Sequence, residues 1–277
     1  MFLPDNTYGT QKRLRFMQEK IERFQPKRVL DVGCGTGSMV TVPLARKYPH
    51  IQFLGIDMDS ESIRFAKSNH TLHNLAFREL SNMDTKEQHD FIIATEVIEH
   101  VDDPWEFLQF LGGILTPKGR LIVTLPNGYG PFEMMSMAEA LLNIVGVIPL
   151  LRLFKRLAMN GARPVGKAGA DTLAESPHIN FFSFGQIRQL FKEGGFEIRQ
   201  YQPRTFLCGF GFDQVLRSER ILEWNQKIAD ILPPFFSSDW MFLLEKGESM
   251  NPQVYKRGPL STLRKMLNTR CRSSHSS

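Results

Sequence analysis

Short runs of hydrophobic residues alternate with amphipathic stretches over the first half of the chain. The hydrophobic runs are RVLDVG, IQFLGID, LAFREL, HDFIIAT and GRLIVTLP. Such continuous runs are typical of parallel strands that are buried on both faces. The intervening stretches at 38–48, 60–69 and 104–111 have helical periodicity. Strands that alternate with helices in this way predict a Rossmann-like, doubly wound α/β sheet, mostly parallel, with helices on both faces.

The pattern extends beyond this region on both sides. Four hydrophobic residues recur at helical spacing near the N-terminus: Leu14, Met17, Ile21 and Phe24. They predict an amphipathic helix over 8–24 that packs against the following elements. Four later elements are predicted, namely helices at 183–193 and 213–231 and strands at 196–201 and 240–244. We expect the last strand to run antiparallel to the others.

Residues 128–178 interrupt the strand pattern and predict an insertion over the carboxyl edge of the sheet, where doubly wound folds bind their ligands. Within it, 134–157 is rich in Leu, Met, Ile and Val and ends among basic residues. Such a segment is expected to be either a helical lid over the site or an amphipathic segment on a membrane surface. The insertion is therefore assigned to one domain over 1–247.

The charge of the chain is concentrated at its C-terminal end. The formal net charge is +5, and the last 22 residues contain six Lys or Arg residues and no acid. We expect 248–277 to be a basic, disordered tail. Because the rest of the chain is nearly balanced, a nucleic-acid partner is not favoured.

Cysteines and hydropathy indicate the compartment. Three widely spaced cysteines form neither a disulfide framework nor a zinc motif, which favours a reducing cytoplasm. The N-terminus lacks the pattern of a secretory signal, and no apolar stretch reaches the length of a transmembrane helix. We expect a cytoplasmic protein, with attachment to the inner face of a membrane as the alternative. The oligomeric state is not indicated.

A glycine-rich turn follows the first predicted strand and precedes a helix. It reads DVGCGTG, so that Asp31 precedes Gly33, Gly35 and Gly37. Glycines let the backbone turn sharply and approach a ligand closely. A dinucleotide-binding loop is the alternative, but its last glycine would fall at Ser38. A carboxylate beside the loop suits a ligand with an ammonium or sulfonium group and opposes a pyrophosphate.

Further candidates for nucleotide binding follow the next strands at the same edge. Asp57 ends the second strand, where a carboxylate can accept hydrogen bonds from both ribose hydroxyls. Capping of the helix at 60–69 is the alternative role for Asp57. Residues 81–83 follow the third strand and are placed to touch an adenine ring. The cofactor-binding candidates outside the loop are Asp57, Met58, Asn82, Met83 and Thr95.

The fourth predicted strand ends in a turn with three polar side chains. If the turn TEVIEH is helical, Glu96, Glu99 and His100 share one face. Two carboxylates and an imidazole can hold a divalent cation such as Mg²⁺, Mn²⁺ or Zn²⁺, which would lower the pKa of a bound hydroxyl. A catechol or a vicinal diol would suit such a site. We expect Glu96 and His100 to be catalytic.

Taken together, DVGCGTG, GIDMD, the EVIEH turn and LTPKGRLIVTLPN resemble the class I S-adenosylmethionine-dependent methyltransferases. The resemblance covers roughly residues 25–128 and, more weakly, 181–201. It implies S-adenosylmethionine as the cofactor, with Asp31 and the loop at its methionine part and Asp57 at its ribose. In such enzymes the protein positions the acceptor and removes its proton.

The Glu-x-x-Glu-His turn is similar to that of the ubiquinone-pathway O-methyltransferases and of the small-RNA terminal 2′-O-methyltransferases, where it binds metal. In the RNA enzymes a later histidine completes the site, which implies His178 here. The metal ligands would then be Glu96, Glu99, His100 and His178. Many class I enzymes carry a Glu-His pair after this strand without a metal, so both interpretations stay open.

The acceptor is constrained only by its surroundings. The apolar insertion favours a small apolar, lipid-linked or saccharide acceptor, while an RNA 2′-O-methyltransferase and a non-catalytic nucleotide-binding module are the alternatives. Three residues after the fifth strand are candidates either for lining the acceptor pocket or for packing, namely Asn127, Tyr129 and Phe132. Four histidines away from this edge are expected at the surface: His50, His70, His73 and His89.

Overall fold

The computed structural model describes residues 9–130, 178–207, 218–248, 258 and 262. The helices of these ranges are α1 (Thr10–Phe24), α2 (Thr41–Lys47), α3 (Ser60–Asn69), α4 (Pro104–Ile114), α5 (Phe184–Glu193) and α6 (Glu219–Ile231). The strands are β1 (Arg28–Val32), β2 (Gln52–Asp57), β3 (Leu75–Glu79), β4 (His89–Thr95), β5 (Leu115–Pro126), β6 (Phe196–Pro203) and β7 (Asp239–Lys246). Short 3₁₀ helices lie at Leu80–Asn82 and Pro234–Phe236.

The strands form a seven-stranded sheet in the order β3-β2-β1-β4-β5-β7-β6. The first five strands in this order pair in parallel, and β7 pairs antiparallel to both β5 and β6. The predicted fold class is thereby confirmed, including the antiparallel last strand. Because β1, β2 and β4 are parallel neighbours, their carboxyl ends meet at one edge of the sheet.

Two hydrophobic cores cover the two faces of the sheet. Successive residues of a strand point to opposite faces, so Val29 packs with α1 and α2 while Leu30 packs with α4 and α5. Met17 of α1 and Leu108 of α4 are fully buried in these cores. Burying a side chain of this size contributes about 1.5–3 kcal/mol. The core on the Val29 side packs α1 against the sheet.

Four of the described helices begin at residues whose side chains cap them, and α3 and α5 are two of these. Asp59 accepts hydrogen bonds from the backbone N–H groups of Glu61 and Ser62 at the start of α3. Ser183 and Gln186 form a reciprocal capping box at the start of α5. The suggestion that Asp57 caps α3 is therefore wrong, because Asp59 fills that position.

Most of the described helices and strands have the type that the sequence predicted. The differences concern boundaries and the burial of one residue. The helix predicted at 38–48 begins only at Thr41, because the turn that contains the glycines extends to Val40. The fifth strand begins at Leu115, directly after α4. His89 was expected at the surface, but it is buried. It is the first residue of β4, pairs opposite Leu115 of β5 and is only 2% exposed.

Several predictions fall on residues that the structure does not describe. They include the segment at 134–157, nearly all of the tail at 248–277, and the start of the helix predicted at 213–231. The domain boundary at residue 247 and the role of the insertion at 128–178 accordingly stay predictions. Among the described residues, no helix is long and apolar enough to cross a membrane.

Candidate active site

A cavity of about 120 Å³ lies at the carboxyl ends of β1 and β4, beneath α1. Its wall includes the predicted residues Asp31, Gly33, Gly35, Thr95 and Glu96. The sheet thus brings together the glycine loop, the acid before it and the start of the polar turn. This enclosed volume is smaller than the roughly 300–1,000 Å³ of a typical ligand pocket. The cavity can therefore hold one part of a cofactor that fills a typical ligand pocket.

The three glycines of the loop are required by their backbone geometry. Gly33, Gly35 and Gly37 have φ angles of +72°, +54° and +74°, a region that other residues rarely adopt. A Cβ on Gly33 would lie 2.4 Å from the side chain of Val97, and a Cβ on Gly37 would lie 2.5 Å from the ring of Phe77. A Cβ on Gly35 would have no atom within 4 Å, so the loop leaves open space beside this glycine.

Asp31 lines the cavity and is the penultimate residue of β1, just before the loop. Its side chain is 2% exposed, and Oδ2 accepts a hydrogen bond of 2.6 Å from Thr41 Oγ1. The other oxygen, Oδ1, has no hydrogen-bond partner among the described residues. Burial raises the pKa of Asp31 to about 7, although Thr41 and the nearby Arg13 act in the opposite direction. A cationic ligand would restore the charge balance.

Arg13 is a cavity residue that the sequence pattern did not reveal. It lies on α1, is 8% exposed, and its Nε has no hydrogen-bond partner among the described residues. Desolvation by burial lowers its pKa. Its residue type gave no signal, because several charged residues surround it in an amphipathic helix. The cavity therefore has a buried cation on the α1 side and a buried carboxylate on the β1 side.

Asp57 stands at the end of β2, beside the glycine loop. Its Oδ2 accepts a hydrogen bond of 2.7 Å from Gly35 N–H, and its Oδ1 accepts one of 2.9 Å from Asp59 N–H. The following residue, Met58, is 85% exposed. Asn82 is exposed and Met83 packs against the core, and both follow β3, the strand that pairs with β2. These positions share one edge of the sheet, as the sequence predicted.

The turn after β4 is not helical, so the condition under which Glu96, Glu99 and His100 would share one face is not met. Glu96 has a φ of +55°, a left-handed backbone conformation outside the helical region. Its Oε1 accepts hydrogen bonds from Thr124 Oγ1 at 2.6 Å and Arg204 Nη1 at 3.1 Å. Burial alone would raise the pKa of Glu96, but the guanidinium groups beside it lower this pKa to about 2. Glu96 is therefore held as an anion.

The other three predicted metal ligands do come together. One ligand atom from each of Glu99, His100 and His178 lies within 4.8 Å of the other two. The two imidazole rings are 4.9 Å apart, and Glu99 is only 1% exposed. Glu96 is not part of this cluster. An oxygen and two nitrogens in this arrangement are suitable donors for a divalent transition metal.

Asn180 holds the segment of His178 against the turn, a role that the sequence did not reveal. The backbone N–H groups of Ile179 and Asn180 donate to the carbonyl of Glu99 at 3.0 and 2.9 Å. The Asn180 side chain also donates to the carbonyls of Ile98 and Val101 at 3.2 and 2.6 Å. These bonds join two segments that are about 80 residues apart in the chain.

The residues after β5 have mainly packing roles where they are described. Asn127 is 1% exposed, and its amide donates to the carbonyls of Phe235 and Ser237 at 2.9 and 2.8 Å. Its oxygen accepts from Tyr129 N–H. This is the packing alternative for Asn127, while Tyr129 remains 36% exposed. Phe132 lies outside the described residues.

The family described as "Methyltransferase domain" matches residues 8–201, which is most of the chain. The chain belongs to this family. Membership confirms the resemblance to the class I S-adenosylmethionine-dependent methyltransferases that was drawn from the sequence motifs. The fold, the glycine loop and the acids at the ends of β1 and β2 are in accord with this class and with its cofactor.

Individual relatives are similar over shorter ranges. The chain is 30% identical over 122 residues to the ubiquinone biosynthesis O-methyltransferase of Aeromonas salmonicida, covering 42% of this chain and 50% of that protein. It is 35% identical over 104 residues to the protein of the same name from Bradyrhizobium diazoefficiens, covering 36% and 40%. The chain thus spans about half or less of these relatives.

A solved structure extends the similarity over more of the fold. PKMT2 from Rickettsia typhi in complex with AdoHcy has a TM-score of 0.52 and 17% identity, covering 83% of this chain and 50% of that chain. At this level of identity the likeness shows the fold alone. The acceptor must therefore be argued from the site of this chain.

Proposed function

We propose that the protein is an O-methyltransferase that transfers a methyl group to a hydroxyl of a small apolar acceptor. The observation that carries this proposal is the cluster of Glu99, His100 and His178 at the edge of the sheet that also holds the cofactor cavity. Relatives that are 30–35% identical over part of the chain are named ubiquinone biosynthesis O-methyltransferases, which supports a hydroxyl as the acceptor group.

The charges of the cavity suit the amino-acid part of S-adenosylmethionine. This part carries an ammonium and a carboxylate group, and when bound the cofactor supplies an electrophilic methyl group. Asp31 would hold the ammonium group, since its buried Oδ1 has no partner among the described residues. Arg13 would hold the carboxylate group from the opposite wall. Asp57 would hold the ribose, with Met58, Asn82 and Met83 beside the adenine.

The cluster would hold a divalent cation through Glu99, His100 and His178. A cation there lowers the pKa of a bound hydroxyl and can hold two adjacent oxygens at once. We therefore propose a catechol or a vicinal diol as the acceptor unit, free, lipid-linked or part of a saccharide. Glu96, which pairs with Arg204 and lies outside the cluster, would not be a ligand. In the absence of a cation, His100 would take the acceptor proton.

The first experiment is calorimetric titration of S-adenosylhomocysteine into chelator-treated protein, followed by titration of Mg²⁺, Mn²⁺ or Zn²⁺. We expect binding of S-adenosylhomocysteine in the wild type and its loss in Asp57→Ala. We expect a separate binding heat for one of the metals. Removal of one metal ligand, in Glu99→Gln or in His178→Gln, should weaken metal binding at least tenfold.

The matched control is His50→Gln, which replaces an exposed histidine outside the site. It should bind cofactor and metal as the wild type does. Absence of any metal heat, or metal binding that survives both cluster substitutions, would remove the metal-assisted mechanism. Absence of S-adenosylhomocysteine binding would overturn the proposed cofactor site itself.

An RNA 2′-O-methyltransferase is the second candidate, because His178 does join Glu99 and His100. A terminal ribose also carries two adjacent hydroxyls, so the same cluster could recognise it. Transfer of labelled methyl groups to a catechol and to an RNA with a free 3′-terminal ribose separates the candidates. Transfer to the RNA alone, surviving removal of residues 248–277, would favour the second candidate.

A further inference from the structure

Three charged side chains line the cofactor cavity, and ion pairs link two more to them from distant parts of the chain. The five are Arg13, Asp31, Glu96, Arg204 and Asp239, and each is buried or largely buried. The group contains two guanidinium cations and three carboxylates. Charges cost much free energy to bury unless they are paired, so the way these five pair decides how the cavity is charged.

Arg204 is the centre of this network. It is 5% exposed and lies just after β6. Its Nη1 donates to Glu96 Oε1 at 3.1 Å, and its Nη2 donates to Asp239 Oδ1 at 2.6 Å. Asp239 is held in turn by a hydrogen bond of 2.8 Å from Thr205 Oγ1. The donors of a planar guanidinium have fixed directions, so Arg204 can bond the two carboxylates through separate nitrogens.

Arg13 is less fully engaged than Arg204. The distance between Arg13 Nη1 and Glu96 Oε1 is 3.8 Å, which is too long for a hydrogen bond. The Nε of Arg13 has no partner among the described residues, although it is buried at the wall of the cavity. Glu96 thus has two cations beside it but forms its hydrogen bond with only one of them, Arg204.

We propose that Arg204 is a positioning residue that neutralises Glu96 and thereby leaves Arg13 available to the anionic group of the cofactor. This inference rests on the proposed cofactor site. Without Arg204, Arg13 is the nearest remaining cation of the network to the Glu96 carboxylate. At low dielectric their attraction closes the present gap of 3.8 Å and turns Arg13 away from the ligand.

The left-handed backbone of Glu96 supports this role for Arg204. A φ of +55° is unfavourable for a residue other than glycine and persists only where the surroundings hold it. The two hydrogen bonds to Oε1, from Thr124 and Arg204, provide that restraint. Arg204 therefore fixes both the direction of the Glu96 side chain and the start of the turn that follows.

The test is a pair of variants compared by titration with S-adenosylhomocysteine. Arg204→Met should weaken binding at least tenfold, because Glu96 then competes for Arg13. Adding Glu96→Gln removes the competing charge, so the double variant Arg204→Met/Glu96→Gln should recover at least threefold of the lost affinity. If Arg204 served only to stabilise the fold, a second substitution in the same network would weaken binding further rather than restore it.

Arg199→Met is the matched control, since Arg199 is half-exposed and pairs with Glu197 and Glu245 outside the buried network. It should bind S-adenosylhomocysteine as the wild type does. If the methionine variants fail to fold by circular dichroism, the same comparison is made with Arg204→Gln and Arg204→Gln/Glu96→Gln, which also remove the charge at position 204. Unchanged binding in the Arg204 variants, or no recovery in the double variant, overturns the inference. Failure of the wild type to bind overturns the cofactor site instead.

Discussion

At the scale of single residues, Asp31 shows how burial changes the protonation of a carboxyl group at the cavity. Its carboxylate has an ordinary residue type but an unusual setting, with Thr41 as its hydrogen-bond partner, Arg13 nearby and the Asp57 charge opposing it. Desolvation dominates and raises the pKa of Asp31 to about 7. The free protein is consequently close to half-protonated at this position at neutral pH.

Cofactor affinity is therefore expected to depend on pH near neutrality. The ammonium group of the ligand favours ionised Asp31, so binding below pH 7 must first release a proton. Affinity for S-adenosylhomocysteine should fall by up to about tenfold for each pH unit below 7 and should become constant above pH 7. Calorimetry at pH 6, 7 and 8 measures this slope, together with proton release in buffers of different ionisation enthalpy.

Asp31→Asn serves as the reference for this pH dependence. It should bind more weakly than the wild type and show no slope between pH 6 and 8, because the amide does not titrate. An affinity of the wild type that stays constant over this range would mean that Asp31 does not hold the ammonium group.

At the scale of elements, the parts that the sequence predicted well are those with local signals. The strands of the parallel sheet were predictable because burial on both faces makes them continuously apolar. The glycine loop was predictable because Gly33 and Gly37 occupy positions that a Cβ would obstruct. Edge placement of Asp31 and Asp57 followed from the topology alone.

Other parts of the site were not predictable, because distant residues decide them. The turn after β4 has helical spacing, yet Arg204, which lies 108 residues further along, fixes Glu96 in another conformation. Nor does any local pattern mark Arg13 as a cavity residue rather than a surface one. His178 could be proposed only by resemblance, and Asn180, which docks its segment, carried no signal.

The hydrogen bonds of Asn180 join two elements, so its replacement should be costly. Asn180→Ala removes donors to the carbonyls of Ile98 and Val101 and should lower the free energy of unfolding by about 1–3 kcal/mol. It should also weaken metal binding, because His178 is no longer held beside Glu99. Urea unfolding and metal titration measure the two effects.

Asn69→Ala provides the comparison for that change. Asn69 is exposed, and among the described residues its side chain donates to the carbonyl of Phe65 within α3. Its loss should cost no more than about 0.5 kcal/mol, as is usual at the surface. Equal effects of the two substitutions would show that Asn180 does not join the segments.

At the scale of the whole molecule, stability should respond to the charge of one buried histidine. His89 is 2% exposed, and neither ring nitrogen has a hydrogen-bond partner among the described residues. Desolvation lowers its pKa below the ordinary value of about 6.5. In acid the unfolded chain therefore takes up a proton at this position that the folded protein does not.

The free energy of unfolding should accordingly decrease as the pH falls below about 6.5. His89→Leu should reduce this decrease and raise stability at neutral pH by about 1–2 kcal/mol, since a polar group without a partner is removed. Urea unfolding between pH 5 and 8 provides the measurement, with His50→Leu as an exposed control. An unchanged pH slope in His89→Leu would assign the effect to other groups.

The order of strands in the sheet also has a consequence for the time at which the site forms. The final strand of the sheet, β7, lies between β5 and β6 rather than at an edge, and its first residue is Asp239. On the ribosome, β1 to β5 are made well before this strand and leave its place empty. The charged network closes only when β7 enters, so an unfinished chain has its glycine loop long before it can retain a cofactor.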